Sequence, residues 1–261
     1  HFRWLAQSLS NKGWPVVVLE HPGSDDTAVQ ALLEGSRPLP GAEVLPERLA
    51  DLNAVLQANE KGLVAFPQKE LILMGHSLGA LTAFLAAGAI PETGLSSRCK
   101  QALDDLFLTN LSQLLQCQLV DVPLPTQQKI PSLKAIVALN SFGSLLWTGE
   151  GTSSVSVPVL LVGGTLDLIT PPLIEQLGLL MALTPNISSR ALVIEGASHF
   201  SPIRVGGQKR DSTGYDLFHL GEDLVGVEPL GVQRLLANEI SIFLKKVESG
   251  ERQGPSLSMR M

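Results

Sequence analysis

Charge is what this chain has least of. Only 17% of its 261 residues are Asp, Glu, Lys or Arg, against roughly 25% in an average soluble domain. Nineteen basic and 25 acidic residues leave a net charge of −6, and no basic cluster is longer than Lys245-Lys246. The electrostatic footprint of a nucleic-acid binder is therefore absent. Cysteine is scarce too. Cys99 and Cys117 stand eighteen positions apart with no nearby histidine pair, which excludes a zinc ribbon and a disulfide-dense scaffold and leaves a single disulfide open. There is no initial Met and no basic segment ahead of an apolar stretch. His1-Phe2-Arg3-Trp4-Leu5 already has the pattern of a helix, so the chain is expected to begin inside a fold.

What fills the composition instead is apolar: 44% of residues, with a mean hydropathy of +0.23. Residues 71–90 form a run of twenty without a charge, long enough for a membrane-spanning helix. The run contains Gly75, His76, Ser77, Gly79 and Gly88. Glycines on both sides of a His-Ser pair break a continuous helix, so a strand, a sharp turn and a helix are expected, and no membrane span.

The rest of the chain alternates between strand and helix patterns. Phe2, Leu5, Ala6 and Leu9 recur at helical spacing before Lys12-Gly13. Residues 14–19 form a β-branched apolar run, read as a buried parallel strand. Leu49, Leu52 and Leu56 predict a helix over 46–59; 71–74 a strand; 78–90 an apolar helix; and 133–139, 157–162 and 190–194 three further strands. Helices are expected at 172–183 and 229–247. This order predicts an α/β fold, a mostly parallel sheet with helices on both faces, over residues 1–247. Two inserts interrupt it: 91–131, where Leu103, Leu106, Phe107, Leu111, Leu114, Leu115 and Leu119 mark amphipathic helices, and 201–228, which is polar and rich in glycine. Residues 248–261 read as a flexible tail.

Gly75-His76-Ser77-Leu78-Gly79 matches G-x-S-x-G, in which a serine sits on a tight strand-to-helix turn. The flanking segments supply that strand and that helix. An inert serine in a glycine-rich turn fits the five residues alone; the context favours a nucleophile at Ser77, with the backbone N–H of Leu78 as an oxyanion donor. A serine needs a base and the base an orienting acid. His199, in a turn beyond the strand 190–194, is placed to be the base. Asp167, where the strand 157–162 runs out into a turn before Pro171-Pro172, is placed to be the acid, with Glu195 as competitor. His76 is expected to pack beneath the turn. His21 ends the run 14–19 and could line the same edge, or serve only as a turn residue before Pro22. Nothing in this chemistry calls for a metal or a cofactor.

Ser77, Asp167 and His199, in that order and each just beyond a predicted strand, resemble the α/β-hydrolase superfamily over residues 2–247. More narrowly, Val18-Leu19-Glu20-His21-Pro22-Gly23-Ser24, Gly75-His76-Ser77-Leu78-Gly79 and Ala138-Leu139-Asn140-Ser141 resemble bacterial, especially cyanobacterial, hydrolases described as predicted dienelactone hydrolases, themselves similar to platelet-activating-factor acetylhydrolases. Dienelactone hydrolase proper carries a cysteine where Ser77 stands. The resemblance implies an α/β-hydrolase fold, N-terminally truncated, because the loop that supplies a second oxyanion N–H in that superfamily would precede residue 1. It implies a serine esterase or lipase-like enzyme acting on a small ester. The leucine stripe of the insert 91–131 either covers the acyl pocket as a lid, which would favour a hydrophobic acyl group, or only packs the insert on the sheet. An acyltransferase on the same triad and a noncatalytic binding protein of the same fold are the alternatives.

Overall fold

A computed structural model describes residues 2–25, 28, 31, 36, 41–67, 70–104, 110–124, 129–149, 152–183, 188–203, 228–251 and 254–260. Its centre is a parallel sheet of five strands, β1 (Leu71–His76), β2 (Leu133–Leu139), β3 (Val159–Gly164), β4 (Arg190–Ile194) and β5 (Ser256–Arg260), neighbouring one another in chain order. The helices are α1 (Arg3–Ser10), α2 (Leu45–Glu60), α3 (Leu78–Ala86), α4 (Leu95–Asp104), α5 (Ser112–Gln118), α6 (Gln176–Ala182) and α7 (Pro229–Ser249).

Period-two alternation along the strands divides the core into two layers. Ile136, Ala138 and Leu161 point to one face, where they pack with Leu45 and Leu49 of α2 and with α3. Val137, Leu139, Leu160 and Val162 point to the other, against Leu5 and Leu9 of α1 and Leu236 and Ile240 of α7. The central strands β2 and β3 are covered on both sides, which is why residues 135–139 and 159–162 read as unbroken apolar runs. Helix α3 is apolar all round for the same reason: residues 80–86 are all buried. The uncharged run 71–90 is thus β1, a turn and α3. Among the described residues no helix is long and apolar enough to cross a membrane.

Two expectations are overturned. The run 14–19 has no regular secondary structure and pairs with no described strand, and Val16, Val17 and Val18 are 40, 55 and 56% exposed. β-branched composition favours extended backbone, but a ladder also requires a neighbouring edge about 4.8 Å away, and the described sheet ends at β1. The run lines a large cavity instead. The expected flexible tail 248–261 contains β5. Gly250 adopts φ +68° beyond α7, a left-handed cap that turns the chain back. Ser256–Arg260 run parallel to β4, with Glu195 N–H donating to Arg260 O (2.8 Å) and Ser256 N–H to Ser189 O (3.2 Å). Backbone pairing and the ion pair of Arg260 with Glu239 (3.3 Å) hold a strand whose side chains are too polar to announce it.

The insert 91–131 contains α4 and α5, joined by a disulfide between Cys99 and Cys117 with Cα atoms 5.5 Å apart. Of the second insert, residues 204–227 lie outside the described residues. The helix expected at 172–183 is confined to α6, because the two prolines ahead of it start a turn in which Glu175 N–H donates to Pro171 O.

Deleting residues 254–261 uncovers the outer edge of β4. It is expected to lower the thermal midpoint by several degrees and to promote self-association, read by scanning calorimetry and light scattering. An unchanged midpoint would show that β5 contributes nothing to the fold.

Candidate active site

Strand β1 ends directly in Ser77, whose backbone is held at φ +52°, ψ −118°. A non-glycine residue at positive φ is strained by about 1–3 kcal/mol. Three contacts over-determine it. Ser77 N–H continues the β1–β2 ladder by donating to Leu139 O (2.9 Å), while Ser77 O accepts from Ala80 N–H (2.9 Å) and Leu81 N–H (3.1 Å), opening α3. The glycines permit the close crossing: a Cβ on Gly75 would lie 2.2 Å from the carbonyl carbon and oxygen of Gly79. Leu78 is the first residue of α3, so its N–H is one of those a helix leaves without an intrahelical acceptor.

Asp167 and His199 come together from the loops that follow β3 and β4. His199 Nδ1 donates to Asp167 Oδ2 at 3.0 Å, and the two residues are 6% and 1% exposed. Donation from Nδ1 fixes the tautomer in which Nε2 carries a lone pair. Asp167 is richly satisfied: Oδ1 accepts from the backbone N–H of Ile169 (2.9 Å) and Thr170 (2.7 Å), and Oδ2 from Thr170 Oγ1 (2.6 Å) and Asn140 Nδ2 (2.7 Å). Burial alone would raise its pKa, but the His199 bond and charge and the two Thr170 bonds hold it well below the ordinary carboxylate range. Glu195, the competing acid, is exposed beside β5.

Ser77, His76, His199 and Ile169 line one cavity of about 1420 Å³. His76 lies half-buried against His199. Its Nε2 donates to His199 O (2.8 Å), and its ring centroid is 4.8 Å from that of His199 and 5.7 Å from that of Phe2. Burial, followed by the adjacent His199 ring, pushes the His76 pKa down to about 3, so it stays neutral. His21 lies farther along the cavity wall, with Nδ1 2.9 Å from Asp51 Oδ2, and burial lowers its pKa. Its nitrogen is engaged with Asp51 rather than with the Asp167–His199 pair. His1 and His219 lie outside the described residues.

Four polar residues at or near this edge are given no role by the sequence reading. Asn140 and Thr170 clamp Asp167; Asn140 takes φ +47° to do so. A polar pair following an apolar strand is the signal that could have found Asn140. Glu175 is wholly buried among hydrogen-bond donors. Arg48, on α2, donates to Ser24 Oγ (2.5 Å) and Thr82 Oγ1 (3.2 Å) beside the first turn of α3, and burial lowers its pKa to about 10.

No protein-family model matches the chain. Over 72 residues it is 36% identical to cutinase 2 of Thermobifida cellulosilytica, a stretch that covers 28% of this chain and only 26% of that protein. Among solved structures, the monoacylglycerol lipase of Paleococcus ferrophilus aligns over 94% of this chain and 89% of its own at 18% identity, with a TM-score of 0.43. A puromycin-hydrolysing peptidase of Mycobacterium tuberculosis aligns over 61% of this chain and 23% of its own at 16% identity, with a TM-score of 0.37. In the molecule itself, a serine on the turn after one parallel strand, with an acid and a histidine on the loops after the third and fourth, makes this an α/β-hydrolase fold.

The two elbow glycines are expected to differ sharply on substitution. Gly75→Ala forces backbone to move and should abolish folding or displace Ser77, whereas a Cβ on Gly79 meets only Arg48 Nη2, at 3.5 Å, so Gly79→Ala should stay within about 1 kcal/mol of the parent in denaturant unfolding. Equal effects would refute the crossing as the constraint.

The lowered pKa of His76 also sets a stability profile. The unfolded chain protonates this histidine near 6.5, the folded one only near 3, so its contribution is present above pH 6.5 and lost as pH falls toward 3. Asp167, lowered from 3.8, adds a loss that begins only below about pH 4. The thermal midpoint should therefore fall between pH 7 and pH 4.5. The fall should be shallower in His76→Gln, with His21 supplying the remainder; identical slopes would contradict a neutral His76.

Proposed function

We propose that this protein is a serine ester hydrolase that works through an acyl-enzyme. The observation that carries the reading is the buried Asp167–His199 hydrogen bond, opening on the same cavity as the strained Ser77. In the proposed reaction His199 Nε2 takes the proton of Ser77 Oγ as that oxygen attacks the ester carbonyl. Asp167 holds the imidazole in the Nδ1–H tautomer and stabilises the imidazolium that forms. The Leu78 N–H, at the positive end of α3, faces the developing oxyanion. The imidazolium then protonates the leaving alcohol, and water, deprotonated by His199, releases the acid.

Charge placement supports the assignment. A base that must gain a proton beside a second histidine would be opposed if both could ionise. His76 stays neutral and spends its N–H on the His199 carbonyl, so it orients the base without competing for its proton. Apolar residues such as Met74, Leu78 and Leu115 along the cavity suit a hydrophobic acyl group. In this reading residues 1–247, with β5 added at the sheet edge, form one hydrolase domain.

A fluorophosphonate probe is expected to label the protein at Ser77. Ser77→Ala should lose the label, and Ser77→Ala and His199→Ala should each lower kcat on 4-nitrophenyl esters by about 10⁴-fold or more. Labelling that persists in Ser77→Ala, measured by intact-protein mass spectrometry, would overturn the reading.

A further inference from the structure

The insert carrying α4 and α5 looks from its leucines like a cover that could open. Its polar side chains are arranged otherwise. Glu175, at the start of the turn into α6, is fully buried, and both carboxylate oxygens face donors. Oε1 lies within reach of Asn110 Nδ2 (2.9 Å), Ser112 Oγ (2.9 Å), Gln116 Nε2 (3.2 Å) and Ser144 Oγ (2.8 Å). Oε2 accepts from the backbone N–H of Gly143 (2.9 Å) and Ser144 (3.0 Å). Three of these donors belong to the insert and the others to the turn that follows β2 and Asn140. Gln116 spans the same junction in the opposite sense, its Oε1 accepting from Leu145 N–H (2.7 Å).

The insert is also bonded to the loop that carries Asp167. Ser112 N–H donates to Ile169 O (2.8 Å) and Leu111 N–H to Leu168 O (3.3 Å). The disulfide to Cys99 ties the far end of α5 to α4. With Gln116 and Ser112 turned into the buried cluster, α5 presents Leu115 to the cavity, which Ile169 also lines beside His199. An ion buried this completely is stable only while its donors stay in place, so swinging α5 away would strand the Glu175 charge.

We propose that Glu175 is a positioning residue that fixes α5 as a stationary wall of the acyl pocket, so that Leu115, rather than a moving lid, determines the acyl length accepted. This deepens the ester-hydrolase reading and rests on it for the identity of the ligand. Two consequences are specific. Leu115 discriminates by bulk, as a fixed wall does, and Glu175 acts on chain-length preference through Leu115 without touching the ester.

The test measures binding rather than turnover. In the Ser77→Ala background, 4-nitrophenyl butyrate and octanoate are titrated calorimetrically. Leu115→Ala is expected to favour octanoate over butyrate by about 5–10-fold relative to the parent, and Leu115→Phe to shift the ratio by a similar factor the other way. Glu175→Gln, which keeps the shape and removes the charge, is expected to move the ratio in the direction of Leu115→Ala and to raise amide exchange over residues 112–118. Adding Leu115→Ala to it should then change the ratio by less than twofold. If Glu175→Gln does not fold, Ser112→Ala and Gln116→Met each remove one donor and should give smaller shifts in the same direction. Leu115 variants that alter both esters equally, or loss of the carboxylate or its donors that lowers the thermal midpoint and leaves the ratio unchanged, would overturn the proposal. Hydrolysis by Ser77→Ala itself would instead sink the proposed reaction, while the binding ratios still report on the wall.

Discussion

A buried carboxylate must have every lone pair answered, and the carboxyl edge of this sheet is built around that requirement. Two such groups, Asp167 and Glu175, stand eight residues apart on the segment leaving β3. Stranding either without partners would be penalised by several kcal/mol. The donors come from different places: Asn140 and the Gly143–Ser144 turn after β2, the Thr170 loop after β3, His199 after β4, and Ser112 and Gln116 from the insert. Satisfying two ions therefore registers three strand ends and the insert with respect to one another. The site is positioned by electrostatic demand as well as by apolar packing.

Strain at Ser77 is borne by a different part of the molecule. The positive φ persists because β1 is pinned to β2 on one side and α3 is buried on the other, with Phe84, Leu81 and Ala80 fully enclosed. Burial of that many apolar side chains, at about 1.5–3 kcal/mol for each large one, exceeds the strain several times over. The hydrophobic run that gives the chain its membrane-like composition is what stabilises the one conformation in which the serine is presented at the end of a strand.

Much of this was legible in the amino-acid sequence, and the reasons differ by element. Strands β2 and β4 were readable to the residue because residues 135–139 and 191–194 are apolar on both faces and each strand ends at polar or turn-forming residues. Ser77, Asp167 and His199 could be placed at the sheet edge from their positions after predicted strands, and the structure brings Asp167 and His199 into contact. The run 14–19 was misread because β-branched composition reports a preference for extended backbone and is silent about a pairing partner. Strand β5 was missed for the converse reason: its ladder is made by backbone groups, while Ser256, Ser258 and Arg260 advertise a solvated tail. Glu175 left no signal at all. A charged residue in a short segment after two prolines reads as a surface cap, and only the convergence of donors from residues 110–116 and 143–144, distant in sequence, identifies it as interior.

The same convergence decides how the site can respond to mutation and to acid. Groups that share a carboxylate are coupled, so changes at Asn140, Thr170 and His199 are not independent: each leaves the others to satisfy Asp167 alone. His76 stands outside that coupling in charge yet inside it in geometry, because it holds the His199 carbonyl through a neutral N–H while its own protonation is suppressed by burial. An ionised His76 would repel the imidazolium form of its neighbour and lose the packing beneath the elbow together. A neutral His76 beside His199 leaves the Asp167–His199 pair without a second cation against it, while His199 keeps two partners, an ionic one in Asp167 Oδ2 and a neutral one in His76 Nε2.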